Sequence, residues 1–469
     1  MRRRSSGWII RNIAMAAIVI PTVFAIVGAL QLHGVPPPLA LPLGPVDSLP
    51  VCSGNDDPDL LRPAAVLVTV IDNCTARIAS GRDYGHGLAV DYAHRGIAYW
   101  ESNKLDPALD DFNQAVGLDA YLAEALGGRG IVREDRREYD LALTDLDAAI
   151  RLDPLVGAFF NNRGVARVGK GQYDQAAADF EQAIRLKPNM ALAYSNRADV
   201  LEHRGQSDAA RADHDHAVEL SKGDHRVWTS RARFLANRRQ YDAALHDLDQ
   251  ALALRPDSAE IYGARGDIHR SAGQFDLAIQ DLDRAIALDP AEAVTFDLRA
   301  EVHRSMGQLD RALDDLDQAL KLQPENATML NNRAALLCDR KSYDRAIQDL
   351  NQAIKLKPDM AGAFLMRGEA YTAKNRTAEA LQDFAEAIKL DPALARAYAS
   401  RGWAEYKLNR LDQAALDFSA ALKIEPKQAS LVYGQGLIKQ QRGDQAGAAR
   451  DFAAARAIEP GIDRKFHRS

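Results

Sequence analysis

The stretch VGAFFNNRGVARVGKGQYDQAAADFEQAIRLKP, residues Val156–Pro188, decides the fold, because its skeleton returns thirty-four positions away in both directions. Prolines stand at Pro154, Pro188, Pro256, Pro290, Pro324, Pro358, Pro392, Pro426 and Pro460, and every interval is thirty-four positions or twice that, with Lys222 in the one gap. A fixed period without insertion is the mark of a stacked array, in which each unit touches only its neighbours and no unit can bury its apolar face alone. Ending each unit at its proline gives eleven units over residues 87–460, the first closing at Ala120.

Inside a unit the pattern predicts helix, short turn, helix. Alanine recurs from Ala108 through Ala176 to Ala448, and again seven positions later from Ala115 to Ala455, where small residues let two helices approach closely. The first helix carries a bulky residue (Tyr92, Phe160, Trp228, Phe364, Tyr398), then arginine three positions on, from Arg95 to Arg401, with Gln435 departing in the last unit. Aspartate follows sixteen positions after each arginine, as in Arg163 and Asp179. An antiparallel hairpin brings the two to one level, so a ladder of bidentate pairs is expected, one in which exchanging the two charges compensates. Second helices mostly open on aspartate (Asp106, Asp140, Asp174), read as an N-terminal cap. The closing proline cannot continue a helix and sets the turn.

With its neighbours, Asn162-Arg163-Gly164 carries a resemblance. The bulky-x-x-Arg-Gly, Ala, Phe or Leu, Ala, Pro pattern over residues 87–460 resembles the tetratricopeptide repeat in its Asn-Arg-Gly variant. Residues 52–86, with Cys52, Cys74-Thr75 and Ser80-Gly81, resemble the lead-in of exported proteobacterial members. The resemblance implies an all-α, right-handed superhelical solenoid whose first helices line a concave groove for proteins or peptides, and roles in scaffolding and complex assembly. It places Trp100, Asp199, Glu202, Arg233, Asp267, Arg270, Glu301, Arg304, Trp403, Tyr406 and Tyr433 on the groove, with Ile97 beside Trp100. Aromatic residues and arginine are the types enriched in binding hot spots; the plain alternative is that these aromatics fill gaps between helices. The lysine–asparagine clamp by which some relatives hold a C-terminal carboxylate is missing.

The chain begins differently. Residues 1–11 form a basic segment with Arg2, Arg3, Arg4 and Arg11, and residues 12–32 are uncharged. About 20 apolar residues suffice to cross a bilayer, and the arginines place the N-terminus in the cytoplasm. A single-pass signal-anchor in the inner (plasma) membrane is expected, with the repeats on the periplasmic side. A secretory signal peptide cut after the small pair Val27 and Ala29 is the alternative. Residues 33–50 hold six prolines between Val35 and Pro50 and read as an extended spacer. Residues 51–86 read as a capping helix with Val66, Val70, Cys74 and Ile78 on one stripe. In an oxidising compartment Cys52 and Cys74 would form a structural disulfide, their separation being too long for a redox motif. Cys338 reads as a small buried apolar residue.

Composition bounds the function. Charged residues make up 26% of the chain, yet the net charge is only −6, which leaves no basic footprint for nucleic acid. Neither a phosphate-cradling glycine loop nor a metal-ligand spacing occurs, so neither enzyme nor cofactor is expected. The run Asp213-His214-Asp215-His216 falls in an irregular unit, where His214 replaces the usual Phe or Leu and Lys222 the proline. Neighbours two apart on a helix do not share a face, so the run predicts a loose joint rather than a metal site. Residues 461–469 form a short tail without a long polar cap, which leaves the last unit's apolar face for a partner or a second copy. Two functions follow: a membrane-tethered scaffold or adaptor, and a self-associating assembly element.

Overall fold

A computed structural model describes residues 64–466. The expected crossing segment at 12–32, the spacer at 33–50 and Cys52 lie outside them. Among the described residues there is no strand, and no helix is long and apolar enough to cross a membrane.

The chain divides into two compact units. The N-terminal unit, ending at Leu277, holds α1 (Ala64–Ser80), α2 (His86–Glu101), α3 (Leu105–Leu118), α4 (Ala123–Asp135), α5 (Tyr139–Leu152), α6 (Gly157–Gly169), α7 (Tyr173–Leu186), α8 (Ala191–His203), α9 (Ser207–Leu220), α10 (His225–Asn237), α11 (Tyr241–Leu254) and α12 (Ala259–Ser271). The boundary falls within α13 (Phe275–Leu288). The C-terminal unit continues with α14 (Ala293–Ser305), α15 (Leu309–Leu322), α16 (Ala327–Asp339), α17 (Tyr343–Leu356), α18 (Ala361–Ala373), α19 (Thr377–Leu390), α20 (Ala395–Lys407), α21 (Leu411–Ile424), α22 (Ala429–Gln441), α23 (Gln445–Ile458) and the short α24 (Asp463–Phe466).

Within each unit the first helix of a repeat packs on its own second helix, on the second helix before it, and on the first helix of the next repeat. The two alanine series explain how. Ala108, Ala142, Ala176, Ala312, Ala346 and Ala380, and their partners Ala115, Ala149, Ala183, Ala319, Ala353 and Ala387, are wholly buried.

Size matching fills the space between the paired helices. Where the residue after the arginine is Gly, the second helix mostly presents Phe: Gly96 with Phe112, Gly164 with Phe180, Gly368 with Phe384, Gly402 with Phe418. Where it is Ala, the second helix presents Leu, as in Ala232 with Leu248, Ala300 with Leu316 and Ala334 with Leu350. Ala198 alone faces a histidine, His214.

The turn inside each hairpin needs a left-handed residue, and one recurs once per repeat: Asn103, Arg137, Gly171, Gly205, Arg239, Gly273, Gly307, Lys341, Asn375, Asn409 and Gly443. The following amide reaches back to close the first helix, as Glu138 N–H does to the Arg133 carbonyl at 2.8 Å. Left-handed backbone costs a non-glycine residue about 1–2 kcal/mol, partly returned by glycine's greater freedom when unfolded. Lys341→Gly is therefore expected to stabilise the chain by up to about 1 kcal/mol, read as a rise in the urea midpoint; an unchanged or lower midpoint counts against the cost.

The expected caps are corrected. Asp140 is the second residue of α5, whose N-cap Glu138 makes no side-chain capping bond. Asp140 pairs instead with Lys170, and Asp174 with Arg204 at 2.6 Å, each from the next repeat. True side-chain caps occur on first helices at Asp224, Ser258, Glu292 and Asn326, and on one second helix, α23, at Asp444.

The irregular fourth repeat keeps the regular helical hairpin. Its helices α8 and α9 keep lengths of 13 and 14 residues. Where proline is missing, the Lys222 carbonyl accepts from Trp228 Nε1 at 3.0 Å, and Asp224 caps α10 and forks onto Arg226.

Candidate functional site

The arginine ladder forms. Arg95 forks onto Asp111, Arg129 onto Asp145, Arg163 onto Asp179 and Arg231 onto Asp247; in the C-terminal unit Arg299 forks onto Asp315, Arg333 onto Asp349, Arg367 onto Asp383 and Arg401 onto Asp417. Burial tends to raise the Asp111 carboxyl, against the Arg95 hydrogen bond and charge, while the same pairing raises Arg95.

Sequence reading missed that most rungs also cross to the repeat before them. Arg163 Nη1 donates to Asp147 at 2.7 Å, Arg231 to Asp215 at 2.9 Å, Arg265 to Asp249 at 2.7 Å and Arg333 to Asp317 at 2.8 Å. Asn113 and Asn351 serve Arg129 and Arg367. The acceptor lies sixteen positions before its arginine, mirroring the fork, but its type varies between repeats. These arginines are thus engaged on two sides and belong to the scaffold.

The groove candidates separate into three groups. Trp100 is corrected: its ring is buried and its Nε1 donates to Asp135 Oδ2 at 2.6 Å, so it joins α2 to α4 instead of standing free. Ile97 is buried beside it. Around this bond lies a buried acidic pair. Asp135 Oδ1 and Glu134 Oε2 have no hydrogen-bond partner. Burial pushes the Asp135 carboxyl up to about 7, against the Trp100 hydrogen bond, and holds Glu134 well above its ordinary range, with Asp135 adding to it.

That pair predicts a pH dependence. Between the unfolded value near 3.8 and about 7 the folded chain holds a proton at Asp135 that the unfolded chain has lost. Stability therefore falls as pH rises through this window. Hydrogen exchange in α2 and α4 is expected to speed up from pH 5 to pH 8 beyond its intrinsic change, and Asp135→Asn to flatten the excess; an unaltered excess in the variant assigns it elsewhere.

The charged candidates are mutually paired. Asp199 accepts from Arg233 at 2.7 Å and Glu202 from Arg238 at 2.8 Å; Asp267 accepts from Arg270 at 2.6 Å within α12. In the C-terminal unit Arg304 reaches Asp339 at 3.1 Å, and Glu301 also has a partner. Against Asp199 lies His214, fully buried, which burial draws down to about 4 and leaves neutral at pH 7.

The aromatic candidates converge. Trp403 on α20 and Tyr433 on α22 both stack on Phe466, with ring centroids at 5.3 and 4.6 Å and interplanar angles of 25° and 13°. Tyr406 stands edge-on to Trp403 and shares a hydrogen bond with Gln441 at 3.1 Å. Tyr433 is itself buried and lies beneath Phe466, as the floor of a filled slot. Phe466 lies one full period after the bulky-site Val432, a register visible in the sequence but beyond the eleven units counted from it. The buried Ile462 packs with Ala429, Tyr433 and Ala455, so the tail covers part of the last hairpin.

Cys74 is buried between α1 and α2 with Leu67, Val70 and Ala98. Burial raises the Cys338 thiol to about 12, which suits an inert packing residue.

The tetratricopeptide-repeat model matches residues 95–157, 161–225, 230–293, 298–361, 339–395 and 365–429. The chain belongs to the tetratricopeptide-repeat family. No curated protein matches it. Among solved structures it is similar to pilF of Pseudomonas aeruginosa (21% identity over 45% of this chain and 98% of that one, TM-score 0.42). It is also similar to yeast Tom70 (16%, 86% and 96%, 0.42) and to YrrB, described as having an unusual peptide-binding site (22%, 40% and 96%, 0.34). Tetratricopeptide repeats are protein–protein interaction scaffolds, and this chain is built of them.

Proposed function

We propose that this chain is a membrane-tethered scaffold that takes protein or peptide partners on its first-helix face, on the extracytoplasmic side. The observation that carries the binding face is the slot of Trp403 and Tyr433, whose stacking on Phe466 supports recognition of an aromatic side chain. A partner segment with an exposed Phe, Tyr or Trp would compete with the tail for this slot. The ring stacking is specific in geometry and worth about 0.5–1.5 kcal/mol beyond area burial.

Tethering rests on the uncharged run 12–32 behind four arginines. It would hold the repeats close to membrane-proximal partners at raised effective concentration. Extraction at alkaline pH should leave the chain in the membrane fraction beginning at Met1 or Arg2; a soluble chain beginning near Leu30 selects the cleaved, secreted form. Export also favours a Cys52–Cys74 bridge, which peptide mapping without reductant would reveal.

The test of the face uses the full chain in detergent and a displayed library of random peptides. Enriched peptides should carry an aromatic residue, bind about tenfold more tightly to Phe466→Ala, and lose binding in Trp403→Ala, a tenfold change being about 1.4 kcal/mol. Enrichment indifferent to all three side chains would move the binding face elsewhere. Self-association through the last hairpin is the weaker reading, because Ile462 and Phe466 already cover part of that hairpin. Light scattering at several concentrations separates the two.

A further inference from the structure

The fourth repeat puts its one departure from the packing pattern against two carboxylates. At the position where the other repeats present Phe or Leu, His214 on α9 faces Ala198 and is wholly buried, and neither ring nitrogen makes a hydrogen bond. Burying an imidazole without partners costs free energy that a leucine there would not. The ring does pack at a tilt against Phe234, with centroids 4.9 Å apart, but that contact asks nothing of the two nitrogens, so packing alone gives no reason for a histidine.

Its Nε2 points at Asp199 Oδ1, 3.7 Å away, too far for a hydrogen bond. Asp199 and Glu202 lie three apart on α8 and share a face. One ligand atom from each of Asp199, Glu202 and His214 falls within 4.8 Å of the others. Two ligands bound at about 2.1 Å around a tetrahedral zinc stand roughly 3.4 Å apart. The Nε2–Oδ1 separation is close to that, and a small rotation of Glu202 closes the third edge.

We propose that Asp199, Glu202 and His214 form a site for a divalent transition-metal ion, best matched by zinc. One imidazole and two carboxylates are donors that zinc accepts, and the buried neutral nitrogen favours it over calcium or magnesium, which take oxygen ligands. The outer carboxylate oxygens are already held. Arg233 donates to Asp199 Oδ2 at 2.7 Å and Arg238 to Glu202 Oε1 at 2.8 Å, which leaves Asp199 Oδ1 turned inward and orients the ligands as outer-shell partners do in metal sites. Both guanidiniums keep contact with solvent, so their charge moderates the affinity without closing the site. A fourth position remains for water. The Asp213, Asp215 and His216 side chains take no part: Asp213 is engaged by Arg197, Asp215 by Arg231, and His216 is exposed.

The test is zinc titration of the full chain in detergent, freed of metal by chelation, with calorimetry and elemental analysis. The wild type should take up zinc with a component of one ion per chain that also raises its melting temperature. His214→Leu restores the residue that matches alanine elsewhere and should fold at least as stably as the metal-free wild type. It should lose that component or weaken it at least about tenfold, since even an outer-shell partner is worth about 10–100-fold. Asp199→Asn should do the same, and magnesium or calcium at equal concentration should not substitute. Zinc uptake and stabilisation unchanged in both variants, or absent in the wild type, overturns the site, as does a preference for calcium.

Discussion

Asp179→Ala should cost about 3 kcal/mol or more, the penalty for stripping a buried carboxylate from the arginines around it. Asp179 is 3% exposed and accepts from Arg163 twice, at 3.0 and 2.6 Å, and from Arg167 at 2.7 Å. Removing it leaves two half-buried guanidiniums with one acceptor fewer. The loss should appear as faster hydrogen exchange in α6 and α7 and a lower urea midpoint; a midpoint within about 0.5 kcal/mol of wild type, typical of surface changes, would sink the ladder as a source of stability. The structure also alters what a charge swap can do. Exchanging Arg163 and Asp179 would set an aspartate against Asp147 and an arginine against Arg167, so the double variant should recover only part of the loss.

Gly164→Ala should destabilise by about 1–2 kcal/mol, opposite in sign to what helix propensity alone gives. Propensity favours Ala over Gly by about 1 kcal/mol in a helix interior. A methyl at Gly164, however, would stand 2.5 Å from Phe180 Cε1 and 2.9 Å from Cδ1 and Cζ, and the ring is 1% exposed with nowhere to swing. Overpacking of this kind costs about 1–3 kcal/mol and wins. Adding Phe180→Leu should return most of the loss, because Ala with Leu is the pair at Ala232 and Leu248, and at Ala334 and Leu350. Additive effects in the double variant would mean that the two positions do not share one space.

The period made most of the fold legible. Alanine once in every repeat, with a second series seven positions further on, demanded two helices in close approach, and the interval of sixteen between arginine and aspartate fixed which level meets which. What escaped were contacts whose donor is constant and whose acceptor varies. Asp147, Asn113 and Asn351 do one job with different side chains, and a pattern search for identity passes over them. The caps were misplaced by two positions, since an aspartate at the second residue of a helix looks in sequence much like an aspartate before it. The binding face was less legible still. Trp100 and Tyr433 sit at positions the resemblance sends to the groove, yet one is bonded to Asp135 and the other lies under Phe466. Burial of a side chain by a residue 33 or 35 positions away has no local signature.

The cross-repeat hydrogen bonds of the arginines bear on how the C-terminal unit responds to pulling. Each is a fastener across one seam between successive hairpins. Arg299 fastens to Asp283, Arg333 to Asp317 and Arg367 to Asn351, whereas the residue opposite Arg401 is Ala385, which offers no side-chain acceptor. At the Pro392 seam the fork of Arg396 onto Glu369, at 2.8 and 2.6 Å, takes the place of the missing bond, so under tension along the chain that seam should weaken with added salt as the other charged fasteners do.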